Sequence, residues 1–383
     1  MRVLMAHNYY LEAGGEDESF QAEAAVVESA GHEVTRYTIH NSDIARMSSL
    51  RAATRVLWNQ ESYDDIARLL GSRKHQVAHF QNTFPLMSPS VYYAATEAGV
   101  PVIQSLRNYR LACANGLLFR SGAPCEECIG AHAPWFGVVH ACYRESRLAS
   151  AVVAGMVALH KTRGTYANTV NTYVTMTEFA KRTLVRAGIP DARIVVKANF
   201  LVTDPGVGDG RGGYALFVGR LSPEKGVATM LAAWARLRRW IPLKVVGDGP
   251  LAPALPLTSE GVEWLGRRSA NDVLQLMGGA QMLIFPSESY ETFGRVAVEA
   301  YAKGTPVIAS DIGAIAEVVD HGRTGYRFRP GDTEHLVVTV EQALAQPSVL
   351  EAMRREARLE YESKYTAEIN RRQLLAIYDA AVG

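Results

Sequence analysis

The chain has 383 residues, 48% of them hydrophobic and 21% charged, with a formal net charge of +1. This describes an ordinary globular protein of two or three domains, and the near-zero charge gives no reason to expect a nucleic acid partner. The longest apolar run, residues 148–159, has 12 residues, short of the roughly 18–20 that span a bilayer.

Met1-Arg-Val-Leu-Met-Ala-His7 reads as a strand that begins at once, with no leader pattern, so the expected location is the cytoplasm. Gly14-Gly15-Glu16-Asp17 comes next, ahead of a helical pattern over 19–29. Paired glycines where a helix starts permit close approach of a diphosphate or an acceptor, and a plain turn would use them equally well. Strands are expected at 3–6, 33–39, 77–80, 100–106, 173–176 and 194–197, alternating with helices. His79 and Asn82 end the third of these and Arg107 follows the fourth, the carboxyl edge where ligands of such sheets bind.

All four cysteines, Cys113, Cys125, Cys128 and Cys142, fall within 30 residues. Their spacing suits a tetrahedral structural zinc site, with His132 and His140 as reserve ligands; reduced thiols and a redox CxxC are the alternatives. Residues 107–197 carry 12 Lys and Arg against 5 Asp and Glu, whereas 1–106 carry 8 against 12. Trp135, Phe136, Arg144, Arg147, the apolar run, Lys161 and Arg163 together suit an anionic interface. An apolar helix of that length is more often core than membrane anchor.

The stretch 203–213 is too rich in Gly and Asp to continue a sheet and reads as a linker. Its G-x-G-x-x-G precedes a strand instead of following one, so it is no dinucleotide fingerprint. A second set of strands is expected at 215–218, 243–246, 262–265, 282–285 and 306–309, and a last helix at 368–381. The domains are then 1–202, with a Cys-containing insertion at about 107–163, the linker 203–213, a second domain 214–363, and a C-terminal segment 364–383.

Arg220 and Lys225 follow the first strand of that second set, after Gly219, and two cations there would neutralise a diphosphate and the charge it gains as a glycosidic bond breaks. Gly247 and Gly249 sit in the turn after the next strand and permit close approach of a flat ring. Glu291-Thr292-Phe293-Gly294 leads into a helix that carries Glu299. Its start suits a sugar phosphate, and two carboxylates on one side can hold two hydroxyl-bearing pieces of one ligand. The chain has no Asp-x-Asp, and with two cations at the diphosphate the expected chemistry is metal-independent, with no catalytic cofactor.

The block Glu291 to Ala300, with Phe217-Val-Gly-Arg-Leu-Ser-Pro-Glu-Lys-Gly226, resembles the family 4 retaining glycosyltransferases. The resemblance implies an α/β protein of the GT-B fold, two Rossmann-like domains with parallel sheets facing a central cleft and a C-terminal helix crossing back to the first. It further implies that Arg220 and Lys225 clamp the donor diphosphate, Glu291 with the N–H groups of Thr292, Phe293 and Gly294 holds the sugar, and Glu299 holds the ribose. Gly14, Gly15, His79 and Asn82 fall on the acceptor side. The family commonly has His where this chain has Arg107; an Arg there acts by charge and hydrogen bonding, since its pKa above about 12 prevents proton relay.

Asn108 to Cys113 and Pro124 to Gly130 resemble a subgroup associated with bacterial surface and capsular polysaccharide assembly. That subgroup implies transfer of a hexose-type sugar from a UDP or GDP sugar to a glycan or polyprenyl-diphosphate-linked acceptor, with peripheral contact at the inner membrane face. The competing readings are a nucleotide-sugar epimerase or hydrolase on the same architecture and a non-catalytic nucleotide-sugar-binding subunit.

Overall fold

Val3, Leu4, Met5 and Ala6 of the first strand, β1 (Arg2–Tyr9), are all wholly buried, which requires a sheet covered on both faces. The computed structural model describes residues 1–11, 14–254 and 260–383, and these divide into two units. The first unit is Met1–Leu118, Cys125–Asn199 and Asn370–Gly383; the second is Phe119–Pro124 and Phe200–Ile369.

The first unit's sheet adds β2 (Glu33–His40), β3 (Val77–Asn82) and β4 (Val102–Ser105). A two-residue hairpin follows, β5 (Phe119–Arg120) and β6 (Ala123–Pro124), and the sheet resumes with β7 (Thr172–Thr175) and β8 (Ile194–Val196). The order is β2-β1-β3-β4-β7-β8, parallel throughout. Alternate residues of β1 feed opposite layers, as a period of two demands: Leu4 and Ala6 meet Phe80, Tyr92 and Tyr173, while Val3 and Met5 meet Phe20, Val27, Leu374 and Tyr378. Leu374, Ile377 and Tyr378 come from the C-terminal helix Ala367–Val382. Burying such side chains is worth about 1.5–3 kcal/mol each, which is why the chain's end belongs to its first unit.

The second unit's sheet holds β9 (Ala215–Val218), β10 (Leu243–Val246), β11 (Val262–Gly266), β12 (Met282–Phe285), β13 (Val307–Ser310) and β14 (Gly325–Phe328). Its order, β11-β10-β9-β12-β13-β14, is parallel and is the 3-2-1-4-5-6 order of doubly wound nucleotide-binding folds. β14 was not expected from sequence because Gly-Tyr-Arg-Phe opens on a glycine and is broken by Arg327, so it lacks an apolar run. That glycine is required: a Cβ on Gly325 would lie 1.9 Å from the Val307 carbonyl oxygen.

The Gly-rich stretch 203–213 lies along the second unit. Gly210 N–H donates to Gly278 O at 2.9 Å and Gly212 N–H to Gly279 O at 2.8 Å, while Arg354 donates to Ala280 O at 3.0 Å and Gly208 O at 3.1 Å. Its glycines permit close backbone contact: a Cβ on Gly208 would stand 2.2 Å from the Gly278 Cα. The apolar run sits in the helix Arg147–Thr162, where Val153, Ala154, Met156 and Val157 are buried and Leu148 is exposed. No helix among the described residues is long and apolar enough to cross a membrane.

Candidate functional site

In a doubly wound sheet the strand order reverses at one point, and the loops leaving the two strands there diverge to leave a crevice at their carboxyl ends. In the second unit those strands are β9 and β12. Their loops carry Gly219 to Gly226 and Pro286 to Gly294, which hold most of the residues expected at the donor.

The two loops are stitched together. Glu288 N–H donates to Glu224 O at 2.9 Å and Thr229 Oγ1 to Glu288 Oε1 at 2.5 Å. Gly226 has φ +65°, and a Cβ there would lie 1.9 Å from the Pro286 carbonyl oxygen, so only glycine lets the strands' exits meet. Across this seam Lys225 Nζ donates to Glu291 Oε1 at 2.5 Å, and Ser287 Oγ donates to the same oxygen at 2.6 Å. Burial alone would raise the Glu291 carboxyl, but Lys225 and the two hydrogen bonds overcome it and hold the pKa below the ordinary value. Glu291 is therefore a carboxylate at neutral pH.

The helix is Arg295–Ala302, and Glu291 lies in the loop that leads into it. Gly294 precedes the helix at φ +104°, and a Cβ there would press within 2.7 Å of Ile315 Cδ1. Thr292 is half-buried and Phe293 buried. Glu299 is one turn into the helix and accepts from Arg295 Nε at 3.1 Å. Arg220 is exposed.

Gly219, Gly247 and Gly249 belong to a second seam, between the loops after β9 and β10. Gly219 N–H donates to Val246 O at 3.0 Å and Leu221 N–H to Asp248 O at 2.9 Å. A Cβ on Gly247 (φ +135°) would meet the Gly219 carbonyl oxygen at 1.9 Å, and one on Gly249 the Leu221 carbonyl oxygen at 2.5 Å. These two glycines serve backbone packing first, whatever ring lies beyond them.

The first unit reverses order between β1 and β3. After β1, Gly14 starts the helix Gly15–Ser29 and donates its N–H to Asp17 Oδ2 at 3.0 Å; space around both Gly14 and Gly15 is open. His79 and Arg107 are not at this edge. His79 is fully buried, with Nδ1 against Tyr378 Oη at 2.8 Å and Nε2 against Ser105 Oγ at 2.9 Å, and burial drives its pKa down to about 4. Arg107 is buried as well: Nη2 donates to Glu23 Oε1 at 3.0 Å, Nε to Gln81 Oε1 at 3.0 Å, and Nη1 to Asn199. A guanidinium so engaged serves first as an interior counter-ion, and the residue also lines a cavity at the ends of β3 and β4. Asn82 likewise spends its amide on Asn8 O at 2.8 Å and its carbonyl on Phe84 N–H at 3.1 Å.

Residues 212–346 match the family described as glycosyl transferases, group 1. This match lies within the second unit. The chain is 34% identical over 195 residues to a glycogen synthase of Mycobacterium tuberculosis, an alignment covering 49% of this chain and 45% of that one. It is 34% identical over 148 residues to the lipopolysaccharide 1,2-N-acetylglucosaminetransferase of Salmonella typhimurium, covering 34% and 39%. The chain thus spans less than half the length of these relatives. Among solved structures it is similar to HepE of Anabaena in complex with UDP (TM-score 0.70, 16% identity, 99% of this chain and 100% of that one). It is also similar to sucrose-phosphate synthase of Thermosynechococcus elongatus (TM-score 0.73, 16% identity, 99% and 98%). These likenesses establish a two-unit α/β fold of the GT-B class.

Outside residues 212–346, sequence reasoning missed two pairs. His7 Nε2 lies 2.7 Å from Asp17 Oδ1, both buried, and Glu23 Oε1 lies 2.7 Å from Lys197 Nζ. Asp17 stood in the noticed Gly-Gly-Glu-Asp run, but no periodicity links it to a histidine ten residues back. Cys113 and Cys128 are buried and Cys125 and Cys142 half-buried. Burial first, a Gly137 N–H bond to the sulfur notwithstanding, and then the neighbouring thiols push the Cys128 thiol up to about 11. Among the described residues no three His, Cys, Asp or Glu are arranged as a metal-ligand set. His140 Nε2 faces Glu127 Oε2 at 3.2 Å and His132 Nε2 faces Thr162 Oγ1 at 2.9 Å.

Proposed function

We propose that the protein is a retaining glycosyltransferase that takes a hexose-type sugar from a nucleoside diphosphate sugar, bound by the second unit, to a glycan or lipid-linked acceptor bound by the first. The observation that carries this reading is the Lys225–Glu291 pair at the β9/β12 switch point, a cation and a carboxylate held together where a phosphate-bearing ligand binds. Lys225 and Arg220 stabilise the departing diphosphate, and Glu291 with the helix start after it orients the sugar hydroxyls. Glu299 holds the ribose. As the glycosidic C–O bond breaks, the acceptor hydroxyl adds to the same face of the anomeric carbon and gives its proton to the leaving phosphate oxygen. No protein base is needed, so the interior positions of His79 and Arg107 do not count against transfer.

The two cations take the charge a divalent metal would otherwise neutralise, which supports metal-independent transfer. Similarity to the lipopolysaccharide 1,2-N-acetylglucosaminetransferase named above supports a role in bacterial surface polysaccharide assembly. Peripheral contact with an anionic membrane is supported by Trp135, Phe136 and Leu148, which are 50%, 49% and 83% exposed, near Arg144 and Arg147. Sedimentation with anionic vesicles, against Trp135→Ser, tests that contact. A structural zinc at Cys113, Cys125, Cys128 and Cys142 is part of the same proposal and is tested by metal content.

The deciding experiment is calorimetry of UDP, GDP and their sugars, with chelator present, against wild type and Glu299→Ala. Binding that weakens about tenfold or more in the variant supports the donor site. No binding of any nucleotide would remove it.

A further inference from the structure

Behind the carboxyl ends of β3 and β4, wholly within the first unit, lies a cavity of about 50 Å³ whose wall includes Phe84, Tyr92, Gln104, Arg110, Tyr166 and Tyr173. No Asp or Glu lines it. By water-sized volumes of about 10–15 Å³ it has room for a group of three or four heavy atoms.

Most of its polar wall is already satisfied. Gln104 accepts from Tyr92 Oη at 2.5 Å and donates to Ser105 O at 2.7 Å, Tyr173 Oη donates to Tyr166 O at 2.8 Å, and Asn82 is spent as described above. Asn108 Nδ2 donates to Glu16 Oε1 at 3.1 Å. Two buried atoms of the wall have no hydrogen-bond partner among the described residues, Arg110 Nε and the Tyr166 hydroxyl. Tyr166 is only 5% exposed, and a buried polar group left unpaired costs about 1–3 kcal/mol. Arg110 is otherwise well fixed: its guanidinium carbon lies 4.0 Å over the Phe84 ring and Nη1 donates to Ala114 O at 3.1 Å.

We infer that this cavity is an anion subsite of the acceptor, which takes a carboxylate or phosphate of that molecule on the Arg110 Nε–H and the Tyr166 O–H. Both unspent groups are donors and one is cationic, which favours an oxyanion over a neutral sugar hydroxyl that leaves the charge unmatched. Burial holds the Tyr166 pKa well above its ordinary value, which keeps the hydroxyl a donor at neutral pH. The inference rests on the reading that the first unit holds the acceptor, and it narrows the acceptor to one bearing a uronate or a phosphate.

The test is titration of the full chain at fixed ionic strength with inorganic phosphate, glucuronate and glucose, followed by NMR or calorimetry, for wild type, Tyr166→Phe and Arg110→Lys. Saturating nucleotide, where it binds, keeps phosphate off the second unit. The expected result is binding of one of the two anions at least tenfold tighter than glucose, weakened three- to tenfold by Tyr166→Phe with the melting temperature held or raised. Arg110→Lys keeps the charge but removes Nε–H and should weaken binding similarly. Preference for phosphate over glucuronate, or the reverse, identifies the acceptor's group. Anions that bind no better than glucose, or equally to wild type and both variants, overturn the inference. In the same preparations nucleotide binding that depends on Glu299 reports separately on the donor reading, so the two failures are distinguishable.

Discussion

Glu23 and Lys197, 174 residues apart in sequence, meet at 2.7 Å in the interior of the first unit, and Arg107 joins the same carboxylate oxygen from β4's end at 3.0 Å. Burial alone would raise the Glu23 carboxyl, yet the two cations hold it far below the ordinary carboxylate range.

Removing one partner of such a network exposes the others to a medium that cannot solvate them. Arg107→Ala should therefore cost about 3–5 kcal/mol of stability and leave nucleotide affinity unchanged. Urea unfolding and nucleotide titration of the same variant check both halves. Stability within 1 kcal/mol of wild type by order of magnitude, together with lost turnover, would return Arg107 to the reaction.

His79 gives the first unit an acid-sensitive element. Its pKa falls from 6.5 to about 4 on folding, so below 6.5 the unfolded chain binds a proton that the folded chain refuses. Stability should decline as pH drops from 6.5 to 4, by about 1.4 kcal/mol per unit and about 3 in all. Glu23, depressed on folding from 4.5, adds its own loss only below about that pH. The urea midpoint measured across this range should slope less in His79→Gln; equal slopes in variant and wild type would show that another group is responsible.

Lys225 and Glu291 supply the sharpest kinetic expectation. Glu291→Gln keeps the shape but removes the charge that pairs with Lys225, and should lower kcat by about 10²–10³-fold. Lys225→Ala should lower kcat and weaken diphosphate binding, while free nucleoside binds as before. Nucleoside, nucleotide and nucleotide-sugar titrations beside initial rates separate these effects.

Gly226→Ala tests the seam between the β9 and β12 loops. The added methyl would collide with the Pro286 carbonyl at 1.9 Å in a backbone region that costs a side chain about 1–2 kcal/mol before any clash. Nucleotide binding should fall by more than tenfold with the second unit still folded. Gly14→Ala, with open space around it and φ −137°, should leave donor binding intact.

Metal analysis of protein purified at neutral pH decides among the cysteine readings. Zinc requires deprotonated thiols, and the Cys128 thiol at about 11 is one that only a bound cation would ionise. One zinc per chain, released by a mercurial reagent, is the expected result for a structural site. Four thiols titrating freely in metal-free folded protein would instead mark them as reduced packing residues.

Sequence alone determined the two-sheet α/β architecture, because buried parallel strands are short apolar runs between helices and eleven of them could be read directly from the pattern. It likewise determined the residues of the β9 and β12 loops: a strand that breaks at glycine and delivers charge before a helix leaves local signals, all within a few residues. Only tertiary structure showed that Glu291 pairs with Lys225, since the two loops meet through strand order, which periodicity does not encode. The same holds for the first unit. His79 and Arg107 end strands at ligand-facing positions by sequence, but a histidine or arginine is drawn inside when Tyr378 or Glu23, contributed by distant helices, satisfies it there. Whether a polar side chain serves the interior or a ligand depends on partners far along the chain, and those become neighbours only when the sheet is assembled.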